Sequence, residues 1–237
     1  MFAKSQQVFR EVCNGMNSID EHVKKTEIQL PSDARNHGAW REKKQLMFYL
    51  GIKYTFDFVM ALFLGIVALL PLLLIALCIK LDSPGPALFT QTRIGQNGKR
   101  FKVYKFRTMD PSAPANLATA KFSDADKYMT PLGCFLRKTS LDELPQLLNV
   151  LKGEMSFVGF RPVCISECEL NDLREQYGVF VCKPGITGLA QIRGRDDLHY
   201  IEKAKIDAEY VHNRSIWLDL YCLMKTVPVT LSQKGVK

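Results

Sequence analysis

FVMALFLGIVALLPLLLIALCI, residues 58–79, runs for 22 residues without a charge. A bilayer core takes about 20 apolar residues of helix to cross. A helix with no polar face is rarely accommodated in the core of a small protein. The run therefore predicts membrane insertion. Pro71 stands near its centre, where it removes a backbone donor and clashes with the preceding turn. Lys43, Lys44 and Lys53 precede the run, and Lys80 follows it. Cytoplasmic flanks are rich in Lys and Arg, so a single crossing would send one basic flank outward. Two readings stay open on these residues. One is a proline-kinked span, which membrane helices tolerate. The other is a helix–break–helix hairpin that enters and leaves through one leaflet.

Outward from the run the composition changes. Residues 80–107 carry Lys80, Arg93, Lys99, Arg100, Lys102, Lys105 and Arg107 against Asp82 alone, within a chain of net charge +8. Such a cluster seeks phosphate, whether of a nucleotide, an anionic lipid or a nucleic acid. SPGP at 83–86 marks a turn. ALFTQTRIG and FKVYKFRTM read as two strands, with Asn97-Gly98 as the hairpin signal between them. Residues 110–131 read as a surface loop, 156–163 as a short extended piece, and 165–177 as a polar, acidic helix. KPGITGLAQIRGR, 183–195, reads as a Gly-rich loop whose glycines serve turns. Neither dinucleotide-binding nor P-loop spacing is present. The tail from Asp197 to Leu231 is mostly helical. Its nearly apolar part, SIWLDLYCLMKTV, suits either a core helix or one lying in the membrane interface. The seven cysteines include no C-x-x-C pair, which argues against a zinc site or a disulfide framework and for reduced thiols in the cytosol. The first 45 residues are polar and mixed in charge, with no signal peptide.

KTSLDELPQLLNVLKGEMSFVG, 138–159, opens a helix with an apolar face at Leu144, Leu147, Leu148 and Leu151. Ser140 and Glu143 stand at capping-box spacing. Acidic residues in a first turn complement the helix dipole, and an early proline, Pro145, costs little. Capping is the plain reading of Asp142 and Glu143.

LDSPGPALFTQTRIGQNGKRFKVYKFRTM, RKTSLDELPQLLNVLKGEMSFVGFRP, KPGITGLAQIRGR and DAEYVHNRSIWLDL together resemble the bacterial sugar transferases, the monotopic phosphoglycosyl transferases of polyprenol phosphate. The resemblance covers about Lys53 to Thr226. It implies a mixed α/β, mainly helical fold with a re-entrant membrane helix hairpin over 46–80 broken near Pro71 and a small cytosolic catalytic domain over 81–237 with amphipathic interface helices; residues 1–45, which it does not cover, read from their composition as a polar extension. It implies a transferase on the cytoplasmic face of the bacterial inner membrane, starting the assembly of a surface glycan. The enzyme would pass a phospho-sugar from a UDP-sugar to undecaprenyl phosphate and release UMP.

The same resemblance implies site residues. Asp142 is the expected nucleophile, forming an aspartyl phospho-sugar, and Glu143 helps it hold Mg²⁺. Such chemistry is coherent, because a carboxylate attacks phosphorus readily once metal and basic residues cover the diphosphate. Phosphate or uridine contacts fall on Lys105, Arg107, Arg137, Arg161 and Arg195, with Asp207 a further polar position. Two departures stand out. Phe160 replaces the first proline of the family's Pro-Arg-Pro, removing a backbone constraint beside Arg161. Leu70 replaces the serine often found before the hairpin proline. The expected partners are the UDP-sugar, the polyprenol phosphate and anionic lipid; residues 1–45 leave open packing on the catalytic part or on a second copy of the chain, their apolar residues being too sparse to choose. One alternative is an inactive basic module that docks on anionic headgroups. A second is nucleic-acid binding through residues 93–107. It is set aside because the adjacent membrane insert supplies a better phosphate partner.

Overall fold

A computed structural model of the chain describes residues 37–113, 125–194 and 197–231. The extension expected over residues 1–45 lies almost wholly outside these. Helix α1 spans His37–Val67 and α2 spans Leu69–Asp82. From Met47 onward the residues form one compact unit, and packing is continuous across residue 80.

The apolar run does not form one rod. Ala68 separates the helices, at φ −83° and ψ −2°. Helical hydrogen bonding persists around it, from Ala68 N to Leu64 O and from Leu72 N to Ala68 O, both 2.8 Å. The break falls three residues before Pro71, and the reason is steric. A proline ring clashes with the carbonyl four residues back and cannot bond to it, so the disturbance lands on Val67 and Ala68. Pro71 itself sits in the first turn of α2, where a missing N–H costs nothing. Each arm of the run is about 15 Å long at 1.5 Å per residue. By length and composition, the stretch that qualifies as a membrane span among the described residues is Lys44–Val67. Its lower half carries polar groups toward the protein.

Those polar groups seat α1. Asp219 accepts hydrogen bonds from Tyr49 Oη at 2.8 Å and Lys53 Nζ at 2.9 Å. Its other oxygen accepts from Tyr210 Oη at 2.6 Å. Asp57 accepts from the Phe157 amide at 3.2 Å. Higher on the helix, Ala61 and Leu64 pack with Phe101, Val103, Leu147 and Met155. On α2, Leu72, Ile75, Ala76 and Ile79 pack with Ala87, Phe106 and Leu136. The outward sides of both helices expose Phe48, Phe56, Phe63, Leu70, Leu73 and Leu77.

Strands β1 (Leu88–Ile94) and β2 (Arg100–Phe106) pair antiparallel, from Leu88 opposite Phe106 to Ile94 opposite Arg100. The expected hairpin signal closes the turn, with Asn97 at φ 55° and Gly98 at φ 70°. Half of the loop expected over 110–131 lies outside the described residues, and its described part holds a 3₁₀ turn at Ala125–Tyr128 before α3 (Pro131–Lys138), a 3₁₀ segment (Leu141–Gln146) and α4 (Leu147–Leu151). The chain continues through β3 (Ser156–Val158), α5 (Cys168–Gln176), β4 (Gly185–Thr187), α6 (Leu189–Arg193), α7 (Tyr200–Asn213) and α8 (Ile216–Leu231). The Gly-rich stretch is more than turns: β3 and β4 pair in parallel, Ser156 opposite Gly185 and Val158 opposite Thr187. A Cβ at Gly185 would run into the backbone of Gly159 and Val158, so glycine permits the close approach of these strands. The tail helix α8 has two apolar sides. Cys222, Leu218 and Leu223 join the main core, whereas Trp217, 79% exposed, faces outward with Tyr221, Met224 and Val227.

Candidate active site

Asp142 and Glu143 lie in the 3₁₀ segment that links α3 to α4. The expected capping box is not formed. Ser140 sits in the left-handed region at φ 58°, and its side chain makes no cap hydrogen bond. Only its carbonyl accepts from the Glu143 amide, at 3.2 Å. A left-handed serine costs conformational energy, and the two carboxylates that follow it differ in their partners. Glu143 is drawn instead into the basic cluster.

Glu143 Oε1 accepts from Lys105 Nζ at 2.6 Å and from Arg161 Nη2 at 2.7 Å, and Oε2 accepts from Arg161 Nη1 at 3.3 Å. Lys105 arrives on β2 and Arg161 from the segment after β3, so this one carboxylate joins three separate parts of the chain. Burial pushes the Glu143 carboxyl up, but Arg161 and Lys105 outweigh it and hold the group well below the usual carboxylate range. Asp142 differs. It is 8% exposed, and among the described residues none donates a hydrogen bond to its carboxylate. Burial pushes its carboxyl up, against the pull of Lys105; the like charge of Glu143 adds to the rise, while Arg137 and Arg161 oppose it. Asp142 is thus a desolvated carboxylate with open lone pairs, in the field of three cations.

Arg137 reaches this field from the end of α3. Thr130 caps that helix by accepting from the Gly133 amide at 3.0 Å, and the Arg137 Nε donates to Thr108 Oγ1 at 3.0 Å. Of the expected binding residues, Lys105, Arg137 and Arg161 therefore surround the carboxylate pair. Arg107 is placed otherwise. Buried, it donates to the carbonyls of Ser83 and Pro84 at 2.7 and 2.6 Å and to Ile79 O at 3.4 Å, tying off the C-terminus of α2. Asp207 is also committed elsewhere, in a buried ion pair with Arg174 at 2.6 Å. Arg195 lies outside the described residues.

The constraint expected to be lost at Phe160 is supplied in other ways. Phe160 O accepts from the Gly185 amide at 2.8 Å. The Phe160 ring is fully buried, edge-on to Phe180 at 5.5 Å and 5.1 Å from the Arg174 guanidinium. Arg174 was not foreseen as important. It stands alone among acids in CELNDLREQ, which reads as a solvated helix face, and nothing local signals its burial.

As an oxygen donor set, the pair suits Mg²⁺. Asp142 has open lone pairs, and Glu143 retains acceptor capacity beyond its two cations. No cluster of three or more His, Cys, Asp or Glu gathers among the described residues. Mg²⁺ needs none, since it commonly binds through one or two carboxylates and completes its shell with substrate phosphates and water.

A mainly helical α/β unit with a carboxylate pair set among basic side chains, on an apolar helix pair, suits a phosphate-bearing ligand. The chain belongs to the bacterial sugar transferase family, whose model it matches over residues 48–233. It is 39% identical over 198 residues to the exopolysaccharide production protein ExoY of Sinorhizobium fredii, covering 77% of this chain and 87% of that protein. It is 39% identical over 198 residues to the undecaprenyl-phosphate galactose phosphotransferase of Salmonella typhimurium, covering 78% of this chain and 41% of that protein. With the UDP-glucose:undecaprenyl-phosphate glucose-1-phosphate transferase of Escherichia coli the identity is 43% over 183 residues, 74% of this chain and 39% of that protein. The chain thus spans most of ExoY but only about two fifths of the other two.

Proposed function

We propose that this chain transfers a sugar 1-phosphate from a UDP-sugar to undecaprenyl phosphate at the cytoplasmic membrane face, as an opening step of surface-glycan assembly. The observation that carries the reading is the unequal pair: Glu143 gripped by Lys105 and Arg161, and Asp142 buried with its lone pairs open. The names of the relatives, which include UDP-glucose and undecaprenyl-phosphate sugar transferases, supply the substrate class.

The residues divide the work as follows. Lys105, Arg137 and Arg161 receive the diphosphate; the planar fork of arginine suits phosphate oxygens. Asp142 attacks the sugar-bearing phosphorus. The bond from that phosphorus to the bridging oxygen breaks, and the oxygen leaves with UMP. An aspartyl phospho-sugar remains. The phosphate oxygen of undecaprenyl phosphate then attacks the same phosphorus, freeing Asp142 and forming the lipid diphosphate sugar. Asp142 and Glu143 would hold Mg²⁺, which neutralises phosphate charge and polarises the reacting phosphoryl group. Glu143 also keeps Lys105 and Arg161 aimed at one point, so their charge is in place before the substrate arrives.

The helices supply the location. Each arm of the apolar run reaches about half of a 30 Å hydrocarbon core, and both pack on the same small domain. These two facts support a re-entrant hairpin that keeps Lys53 and Lys80 on one side. The exposed apolar side of α8 supports contact with the same leaflet. A full-length preparation in nanodiscs with undecaprenyl phosphate and Mg²⁺ tests the reading: UMP release from one or a few donors of a UDP-sugar panel, lost with Asp142→Asn and with EDTA. A folded protein that released none from any donor would sink it and favour a basic membrane-docking module.

A further inference from the structure

Arg161 owes its reach to how its own main chain is held. Behind it lies a buried ion pair that the reaction does not use. Arg174 and Asp207 are 0% and 1% exposed at their side chains. Asp207 Oδ2 accepts from Arg174 Nε at 2.9 Å and from Nη2 at 2.6 Å. The third nitrogen, Nη1, donates to Arg161 O at 2.9 Å. The guanidinium also lies against the Phe160 ring. The peptide units on either side of Arg161 are therefore both tied, Phe160 O to Gly185 N and Arg161 O to Arg174.

We infer that Arg174, fixed by Asp207, is a positioning residue: it sets the Phe160–Arg161 backbone so that the Arg161 guanidinium meets Glu143 and the donor phosphates. This rests on the proposed reading of Asp142 and Glu143 as the reacting pair. The chemistry of the pair supports it. A buried ion pair can often be replaced by apolar residues of similar volume without loss of stability, so stability alone does not call for it. What an apolar pair cannot supply is a donor to the Arg161 carbonyl. Arginine is apt because its fork satisfies Asp207 and that carbonyl together, whereas the single ammonium of a lysine has no such geometry. A displacement of 1 Å at a binding group can cost about a hundredfold in rate.

Two variants of the full chain in nanodiscs test it: Arg174→Lys, and the double variant Arg174→Met with Asp207→Leu. Three quantities are read: melting temperature, kcat/KM for UMP release, and amide exchange in peptides covering 156–165. The double variant should melt near the parent, exchange faster over 159–163, and lose about tenfold to a hundredfold in kcat/KM. Combined with Arg161→Ala, it should lose almost nothing further, because both changes remove one function. Unchanged exchange and kcat/KM in a folded double variant would overturn the inference, and so would full additivity with Arg161→Ala. If the double variant does not fold, Arg174→Lys decides by the same readings. Should the parent release no UMP from any donor, the reaction reading fails by itself. Exchange over 159–163 then decides the positioning role, and an unchanged rate overturns it.

Discussion

Burial raises the proton affinity of Asp142, against the pull of Lys105, and the charge of Glu143 adds to the rise. Burial acts the same way on Glu143, but Arg161 and Lys105 overcome it. The signs lead to separate pH behaviour. A raised carboxyl binds its proton more tightly folded than unfolded, so its ionisation at neutral pH costs stability; that cost shrinks once pH falls below the folded value and is gone below the unfolded one. A depressed carboxyl stabilises the fold above its unfolded value, near 4.3, and the contribution is lost only as pH falls through the lower folded value. Activity should therefore fall on the acid side with an apparent pKa above the ordinary aspartate value of about 3.9, while the Lys105–Glu143–Arg161 contacts persist. A pH–rate profile set beside circular dichroism at each pH checks this; activity and fold lost together would contradict it. Asp142→Asn should abolish UMP release and leave the melting temperature unchanged or higher, since it removes a buried charge. Glu143→Gln should lower both activity and melting temperature, at about 1–3 kcal/mol, because it weakens the hold on two partly buried cations.

Among the elements, α1 is seated by polar groups where its sequence advertises apolar ones. Lys53 and Asp219 form a nearly buried ion pair at 2.9 Å, and Tyr49 and Tyr210 complete it. Asp219→Ala leaves Lys53 without its counter-charge. Breaking one side of a buried pair costs about 3–5 kcal/mol, so thermal unfolding in nanodiscs should shift down by several degrees. No shift would mean that apolar packing alone holds the helix. Much of this scale was legible in advance. Asn97-Gly98 located the hairpin, and the stretches read as helical at 165–177 and 197–231 hold α5, α7 and α8. The break was placed near Pro71 but falls at Ala68, because a proline disturbs the turn before it. The spacing of Ser140 and Glu143 suggested a cap, yet two cations 38 and 18 residues away from Glu143 compete for the carboxylate, and no local pattern records them. The β3–β4 pairing was hidden for a similar reason: glycines that permit close strand contact look the same as turn glycines.

At the scale of the whole molecule, α1, α2 and α8 expose apolar side chains, among them Phe63, Leu73 and Trp217. The re-entrant reading predicts that single cysteines introduced at Lys44 and Lys80 in an otherwise cysteine-free chain react with an impermeant reagent from the same face of sealed vesicles. Labelling from opposite faces would establish a span. The clustering of Lys105, Arg137, Asp142, Glu143 and Arg161 was legible through the motifs that hold them. Arg107 and Asp207 share those motifs but serve a helix end and a buried pair, a difference only three-dimensional packing reveals. The division between a gripped Glu143 and an open Asp142 is tested most directly by incubating the chain with the donor that supports UMP release, without acceptor lipid, and weighing the intact protein. The account predicts a mass gain of one phospho-sugar, located on the peptide containing Asp142 and discharged by adding undecaprenyl phosphate. UMP formation that strictly requires the acceptor, with no adduct at any time, would contradict it.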